Sequence, residues 1–176
     1  MSDTLQAPDA EAAYAALRDA LAPVLRGADP APRLVGIRSG GAWVAQRLHR
    51  ELGLSTPLGL LSSAFHRDDY GRRRGRGLPA DLKPSELPLP VDGAHLVLVD
   101  DILFTGRTVR AALNELFDYG RPARVELAVL IDRGGRELPV HAGYCGVVAP
   151  LASPRNYVLA QDPAGRFSLA IEPGAA

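Results

Sequence analysis

Residues 96–108 read Leu-Val-Leu-Val-Asp-Asp-Ile-Leu-Phe-Thr-Gly-Arg-Thr and concentrate more reactive groups than any other stretch of the chain. Two carboxylates, Asp100 and Asp101, stand where an apolar run ends. Thr105, Gly106, Arg107 and Thr108 follow just ahead of a helical stripe. Adjacent carboxylates at a strand end accept hydrogen bonds from vicinal hydroxyls or hold the water shell of a Mg2+ ion. A glycine turn that opens a helix presents several backbone N–H groups and the positive end of the helix dipole, which together bind a phosphate. The same arrangement recurs upstream, where Ser39, Gly40 and Gly41 follow an apolar run and precede a helix.

Such residues act together only if the fold brings their turns to one edge. Apolar runs at 34–37, 58–65, 96–99 and 125–131 suit buried strands, and 96–99 is apolar on both faces, as a central parallel strand must be. Between them lie helical patterns. Residues 9–25 repeat apolar positions at helical spacing behind the capping residue Asp9, and 42–52 stop at Gly53. Val109, Ala112, Leu113 and Leu116 make one stripe, closed by Gly120 and Pro122. Residues 100–108 read as a polar turn, and 66–93 lose all periodicity, as a long functional or flexible loop does. Strands alternating with helices predict a single α/β domain over residues 1–176, with a parallel sheet, right-handed crossovers and ligands at the carboxyl ends of the strands.

Composition narrows the chemistry further. The 176 residues carry 20 Lys+Arg against 20 Asp+Glu, so no overall basic field exists to hold nucleic acid or an anionic membrane. Any anion site must be local. Lys83 is the single lysine, leaving the positive charge almost wholly to arginine, whose planar fork suits phosphate and carboxylate. A GC-rich genome would give the same bias. Five arginines, Arg67, Arg72, Arg73, Arg74 and Arg76, crowd the long loop, where they pair with phosphates or simply stay solvated. The lone Cys145 excludes an intrachain disulfide and a cysteine metal site, and reads as a small apolar residue. His49, His66, His95 and His141 lack metal-ligand spacing. No repeat is visible, the N-terminal residues lack the pattern of a secretory leader, and no apolar run suffices to span a bilayer, so a cytoplasmic protein without membrane contact is expected.

The string at 96–108 resembles the binding motif for phosphoribosyl pyrophosphate (PRPP) of type I phosphoribosyltransferases: an apolar strand, two acidic residues and a T-G-x-T turn. With Ile37 to Gly41, Phe65 to Asp69 and Ile131 to Pro139 in the same order and spacing, it is similar to the PyrR family of pyrimidine-operon regulators and uracil phosphoribosyltransferases. The resemblance covers about residues 34–160. The pair Asp100-Asp101, where purine and orotate enzymes commonly begin Glu-Asp, favours this branch, as do Arg133-Gly134 and Arg136-Glu137-Leu138-Pro139. His66 and Phe104 stand where the family usually has Tyr, and Ser62 where relatives often have Asp.

The resemblance implies a type I phosphoribosyltransferase fold, a parallel sheet flanked by helices with a long loop or hood. It implies that Arg38, Ser39, Gly40 and Gly41 meet the pyrophosphate of PRPP, and that Asp100 and Asp101 engage the ribose hydroxyls and the metal shell. Thr105, Gly106, Arg107 and Thr108 would hold the 5-phosphate, with Ile102, Leu103 and Phe104 in the same PRPP-binding segment. Asp101 and Arg67 would be catalytic, Arg67 by neutralising the departing pyrophosphate, and Ile131, Asp132, Arg133 and Gly134 would lie at the base. Mg2+ would arrive with PRPP and water, without direct protein ligands. The implied activity joins uracil to PRPP, giving UMP and pyrophosphate, in a homodimer or higher assembly. The alternative is a UMP-responsive regulator that binds a pyrimidine-leader mRNA, for which Arg110, Arg133, Arg136 and His141 would have to share a face. A third reading keeps the nucleotide pocket as a sensor without turnover.

Overall fold

Strand order follows from the apolar runs. In the computed structural model, which describes residues 6–27, 29–62 and 83–174, the chain runs α1 (Ala10–Gly27), β1 (Arg33–Ile37), α2 (Gly40–Glu51), β2 (Gly59–Leu61), β3 (His95–Leu103), α3 (Arg107–Asp118), β4 (Arg124–Asp132), β5 (Tyr144–Val148), β6 (Arg155–Gln161) and β7 (Phe167–Pro173). Five strands form one sheet in the order β2-β1-β3-β4-β5, all neighbours parallel. β6 and β7 form a separate antiparallel hairpin. The fold is thus the expected α/β sheet flanked by helices. No helix among the described residues is long and apolar enough to cross a membrane.

The period of two along the strands divides the core. Val97 and Val99 of β3 join Leu34, Val44, Leu48, Leu17, Leu21 and Leu130 on the face covered by α1 and α2, while Leu96 and Leu98 join Val35, Ile37, Val109, Ala112, Leu116 and Val129 under α3; past Asp101, which has no partner in the β4 register, the alternation shifts and Leu103 falls on the α3 face. Asp9 caps α1 as expected, its Oδ1 accepting the N–H groups of Glu11 at 2.9 Å and Ala12 at 3.1 Å.

Several elements depart from the sequence reading. β3 does not stop at Val99: it continues to Leu103, with Asp100 opposite Val129 and Ile102 opposite Ile131 in β4. Polarity suggested a turn there, but the parallel ladder needs only backbone groups. α2 begins at Gly40 rather than at Ala42. β2 covers only Gly59–Leu61, and residues 63–65 of the expected strand lie outside the described residues. Within the expected loop, Glu86 pairs with Leu60 on the free edge of β2, and Leu89 and Val91 are buried against the α3 face. β5, β6 and β7 were not anticipated.

Arg47 ties the hairpin to the helices. Arg47 of α2 donates Nη1 and Nη2 to the two carboxylate oxygens of Glu11 at 2.7 and 2.8 Å, and Nε to Glu51 at 2.8 Å. Its guanidinium lies 4.0 Å from the Tyr14 ring centroid and 5.1 Å from that of Phe167. Glu11 also accepts the Phe167 N–H, so α1, α2 and β7 share this one guanidinium. Arg47→Met is expected to cost about 1 kcal/mol in urea unfolding, because the partly exposed Glu11 and Glu51 lose their shared cation.

The same cluster sets an acid limit. The hydrogen bond from Arg47 holds Glu11 below the ordinary 4.5; burial pushes Glu51 upward, but Arg47 and the Tyr14 hydroxyl outweigh it and lower Glu51 as well. Both groups hold protons more weakly folded than unfolded. Their stabilisation is therefore complete above the ordinary glutamate value and is lost as pH falls through their depressed values. The melting temperature is expected to drop below about pH 4.5, and a Glu11→Gln variant to show a shallower acid slope in the same melts.

Candidate active site

Every turn singled out by its residue types lies at the carboxyl ends of parallel strands. β1 leads into Arg38 and Ser39, β3 into Phe104 to Gly106, and β4 into Arg133 and Gly134. Registers fix their relative heights: Gly36 sits opposite Val99, and Leu103 opposite Asp132. Parallel strands align all three turns on one edge because their crossovers return through helices.

Glycine lets the first two turns touch. A Cβ on Gly41 would collide with the Val99 carbonyl and lie 2.8 Å from the Asp100 Cα, and a Cβ on Gly40 would collide with the Asp101 carboxylate. Only bare backbone allows α2 to begin hard against the end of β3. The Asp101 carboxylate consequently rests at the first turn of α2, the positive end of that helix. Asp100 is 5% exposed, and its Oδ1 accepts the Asp101 N–H at 3.0 Å, which fixes one carboxylate relative to the other.

The third element is the turn ahead of α3. Gly106 is its N-cap with φ 92°, a left-handed conformation that a side chain resists, and it supplies no side-chain cap of its own. Thr105 Oγ1 accepts the Arg107 N–H at 3.2 Å, and the Thr105 carbonyl accepts the N–H groups of Glu137 and Leu138, both at 3.0 Å. Arg107 reaches back to Glu137, with Nε 2.8 Å from Oε2. The helix start therefore offers its amides and dipole to an anion, held by the segment after β4.

Around β4 the side chains brace the site. Arg133 is 3% exposed, and its guanidinium stacks 3.8 Å from the centroid of Phe104. Its Nη1 donates to Asn156 at 2.6 Å and its Nη2 to the Leu151 carbonyl at 3.1 Å. Burial lowers its proton affinity. The sequence places this side chain at a base; in the structure each of its terminal nitrogens donates to a protein partner. Asp132 accepts Arg136 on both oxygens, at 2.5 and 2.6 Å, and the Gly134 N–H at 2.9 Å; burial pushes its carboxyl up, but these partners outweigh it and hold it low. Arg136 also donates to the Phe104 carbonyl. Gly135, at φ 73°, leaves room for the Phe104 ring.

The structure thus gathers Arg38, Ser39, Gly40, Gly41, the segment from Asp100 to Thr108, and the segment from Ile131 to Gly134 on one edge. Arg67 and His66 lie outside the described residues. Glu86, Glu137 and Asn156, which hold Arg38, Arg107 and Arg133, were missed. They lie 23 to 48 residues from their partners, so no local spacing signals them.

The donor set also fits Mg2+. Among the described residues no three His, Cys, Asp or Glu side chains cluster as a closed metal cage. Two adjacent carboxylates, one locked by a backbone N–H, suit an ion that keeps several waters and shares oxygens with a phosphorylated ligand.

Known proteins carry the same pattern. The family model for the phosphoribosyl transferase domain matches residues 6–155. The bifunctional protein PyrR of Ralstonia nicotianae is 48% identical over 174 residues, covering 97% of this chain and 98% of that protein. Its counterpart from Pseudomonas entomophila is 55% identical over 122 residues, 69% of each chain. Among solved structures, a hypoxanthine-guanine phosphoribosyltransferase of Bacillus anthracis superposes with a TM-score of 0.61 at 19% identity over 85% of each chain, a likeness of fold. With a domain match across most of its length and near-full-length identity of this order, the chain belongs to the phosphoribosyltransferase family, in its PyrR branch.

Proposed function

We propose that this chain is a uracil phosphoribosyltransferase, joining uracil to PRPP with release of pyrophosphate to give UMP. The observation that carries the proposal is the close approach of two segments, with the Asp101 carboxylate lodged against Gly40 at the start of α2. A ligand with a phosphate, vicinal hydroxyls and a pyrophosphate matches these groups in sequence. Thr105 to Thr108 take the 5-phosphate, Asp100 and Asp101 accept the hydroxyls, and the Arg38 to Gly41 turn receives the pyrophosphate.

Displacement at C1 breaks the bond to pyrophosphate oxygen and forms one to the base nitrogen. Positive charge develops on the ribose ring as negative charge gathers on the leaving group. Asp100 and Asp101 hold the ribose beneath that charge, and donors placed in advance at the two turns stabilise the leaving oxygens without reorganising. Mg2+ bound with PRPP would neutralise part of the pyrophosphate charge. No protein nucleophile is required. Arg67 is proposed to meet the departing pyrophosphate. The backbone from Ile131 to Gly134 is proposed to meet the base, with Arg133 bracing it through Phe104.

Steady-state nucleotide formation from PRPP, with uracil, hypoxanthine and orotate supplied separately, tests this reading. Uracil is expected to turn over with a kcat/KM at least about tenfold above the others, the discrimination of a few well-placed polar contacts. A preference for hypoxanthine or orotate would overturn it.

The relatives' designation as bifunctional favours a second activity, and the family resemblance makes UMP-responsive binding of a pyrimidine-leader mRNA its form. Zero net charge weighs against RNA as the main ligand. So does the engagement of Arg133 and Arg136 within the protein. Retardation of a leader RNA that strengthens with UMP would support this role. Binding that ignores UMP and vanishes at moderate salt would count against it.

A further inference from the structure

The pyrophosphate turn has little of its own to hold it. Ser39 makes no side-chain cap hydrogen bond at the start of α2, and the two residues after it are glycine. Its one long side chain, Arg38, is 17% exposed and runs back over the free edge of the sheet, where its Nη2 donates to Glu86 Oε1 at 2.7 Å. The Arg38 N–H is bound to the Leu61 carbonyl at 2.9 Å, so backbone and side chain are both directed to the β2 edge.

Glu86 is itself seated firmly. Its backbone exchanges two hydrogen bonds of 2.7 Å with Leu60. The preceding residue, Ser85, accepts the Ser62 N–H at 2.9 Å and donates to Glu115 of α3 at 2.6 Å. The strand edge, α3 and the Arg38 turn therefore converge on residues 85 and 86.

We propose that Glu86 is a positioning residue for pyrophosphate binding, acting through Arg38 to hold the Ser39-Gly40-Gly41 turn where its amides meet the leaving group. The inference rests on the proposed transferase reading, because it presumes that this turn receives pyrophosphate. Glu86 touches no substrate. An ion pair with one well-exposed partner contributes modestly, so its loss should weaken binding rather than abolish turnover.

The test compares wild type with Glu86→Gln and Glu86→Asp, using PRPP with Mg2+ in calorimetry and PRPP with uracil in kinetics. Glu86→Gln is expected to raise the Kd and KM for PRPP by about three- to tenfold, leaving the KM for uracil and the melting temperature nearly unchanged. Glu86→Asp is expected to recover part of the loss. An unchanged PRPP Kd in Glu86→Gln would overturn the inference. So would tighter binding, which would make Glu86 a competitor of pyrophosphate, or a fall in melting temperature with PRPP affinity preserved, which would make it purely structural. Failure of the wild-type protein to bind PRPP would overturn the transferase reading itself, and is separately visible in the first titration.

Discussion

Asp101→Asn is expected to lower kcat/KM for PRPP by about 10²- to 10³-fold in a uracil-dependent assay, with little change in melting temperature. The carboxylate projects from β3 against the first turn of α2, and the Asp101 backbone N–H is already bound to Asp100. Asparagine keeps the size and the backbone hydrogen bond. It replaces one carboxylate oxygen by a donor, so it loses an acceptor for a ribose hydroxyl and a negative charge near the ring as that ring becomes positive. The penalty falls on the transition state more than on folding. Gly40→Ala should imitate it, since the added methyl would collide with the Asp101 carboxylate and drive it from its seat. A variant of either kind that retained wild-type kcat/KM would show that this carboxylate does not engage the sugar.

Gly41→Ala, one residue along, is expected to act on the fold instead, costing about 2–3 kcal/mol in urea unfolding. Its Cβ would meet the Val99 carbonyl and the Asp100 Cα, atoms of a central strand paired on both sides. No flexible side chain can swing away there. α2 must back off from β3 or the strand must bend, and either shift disturbs the packing of Ala42, Val44 and Ala45. Gly53 supplies the comparison. At φ 61° with nothing near its Cβ, Gly53→Ala should cost only about 1 kcal/mol of backbone strain. Equal losses at the two positions would mean that the close approach of α2 to β3 is not what Gly41 secures.

These paired glycines show how much of the molecule was legible in its sequence. The apolar runs at 34–37, 96–99 and 125–131 announced parallel strands, and the residues that follow them announced the turns. What spacing could not show is contact between turns 60 residues apart, which arises only when β1 and β3 pair. The extension of β3 to Leu103 was hidden because Asp100 and Asp101 look like the end of a strand, whereas a parallel ladder is indifferent to the side chains it carries. The β6–β7 hairpin had left a signal that went unread: Tyr157 and Leu159 alternate with exposed Val158 and Ala160, and Asp162 to Gly165 supply the turn. β5 left less, since its residues are mostly half-buried and Gly146 lies tight beneath the Ala13 carbonyl of α1.

Charge followed the same division. Arginine in the turns was legible as a preference for phosphate. The partners that govern those arginines, Glu86 for Arg38 and Glu137 for Arg107, came from segments far along the chain. Arg133 and Arg136, read as contacts for a base or for RNA, also engage the protein itself: one stacks on Phe104, and the other clamps Asp132. A buried arginine costs free energy where its donors are unmet, and the Nε of Arg133, like that of Arg38, is buried without a hydrogen-bond partner.

A crystal structure of the protein with UMP and Mg2+ tests the central claim most directly. The 5-phosphate is expected within hydrogen-bonding distance of the backbone N–H groups between Gly106 and Thr108, with the ribose hydroxyls on Asp100 and Asp101. Nucleotide bound away from this edge, as in the polar groove between Arg50 and Asp162 on the far side of α2, would contradict it.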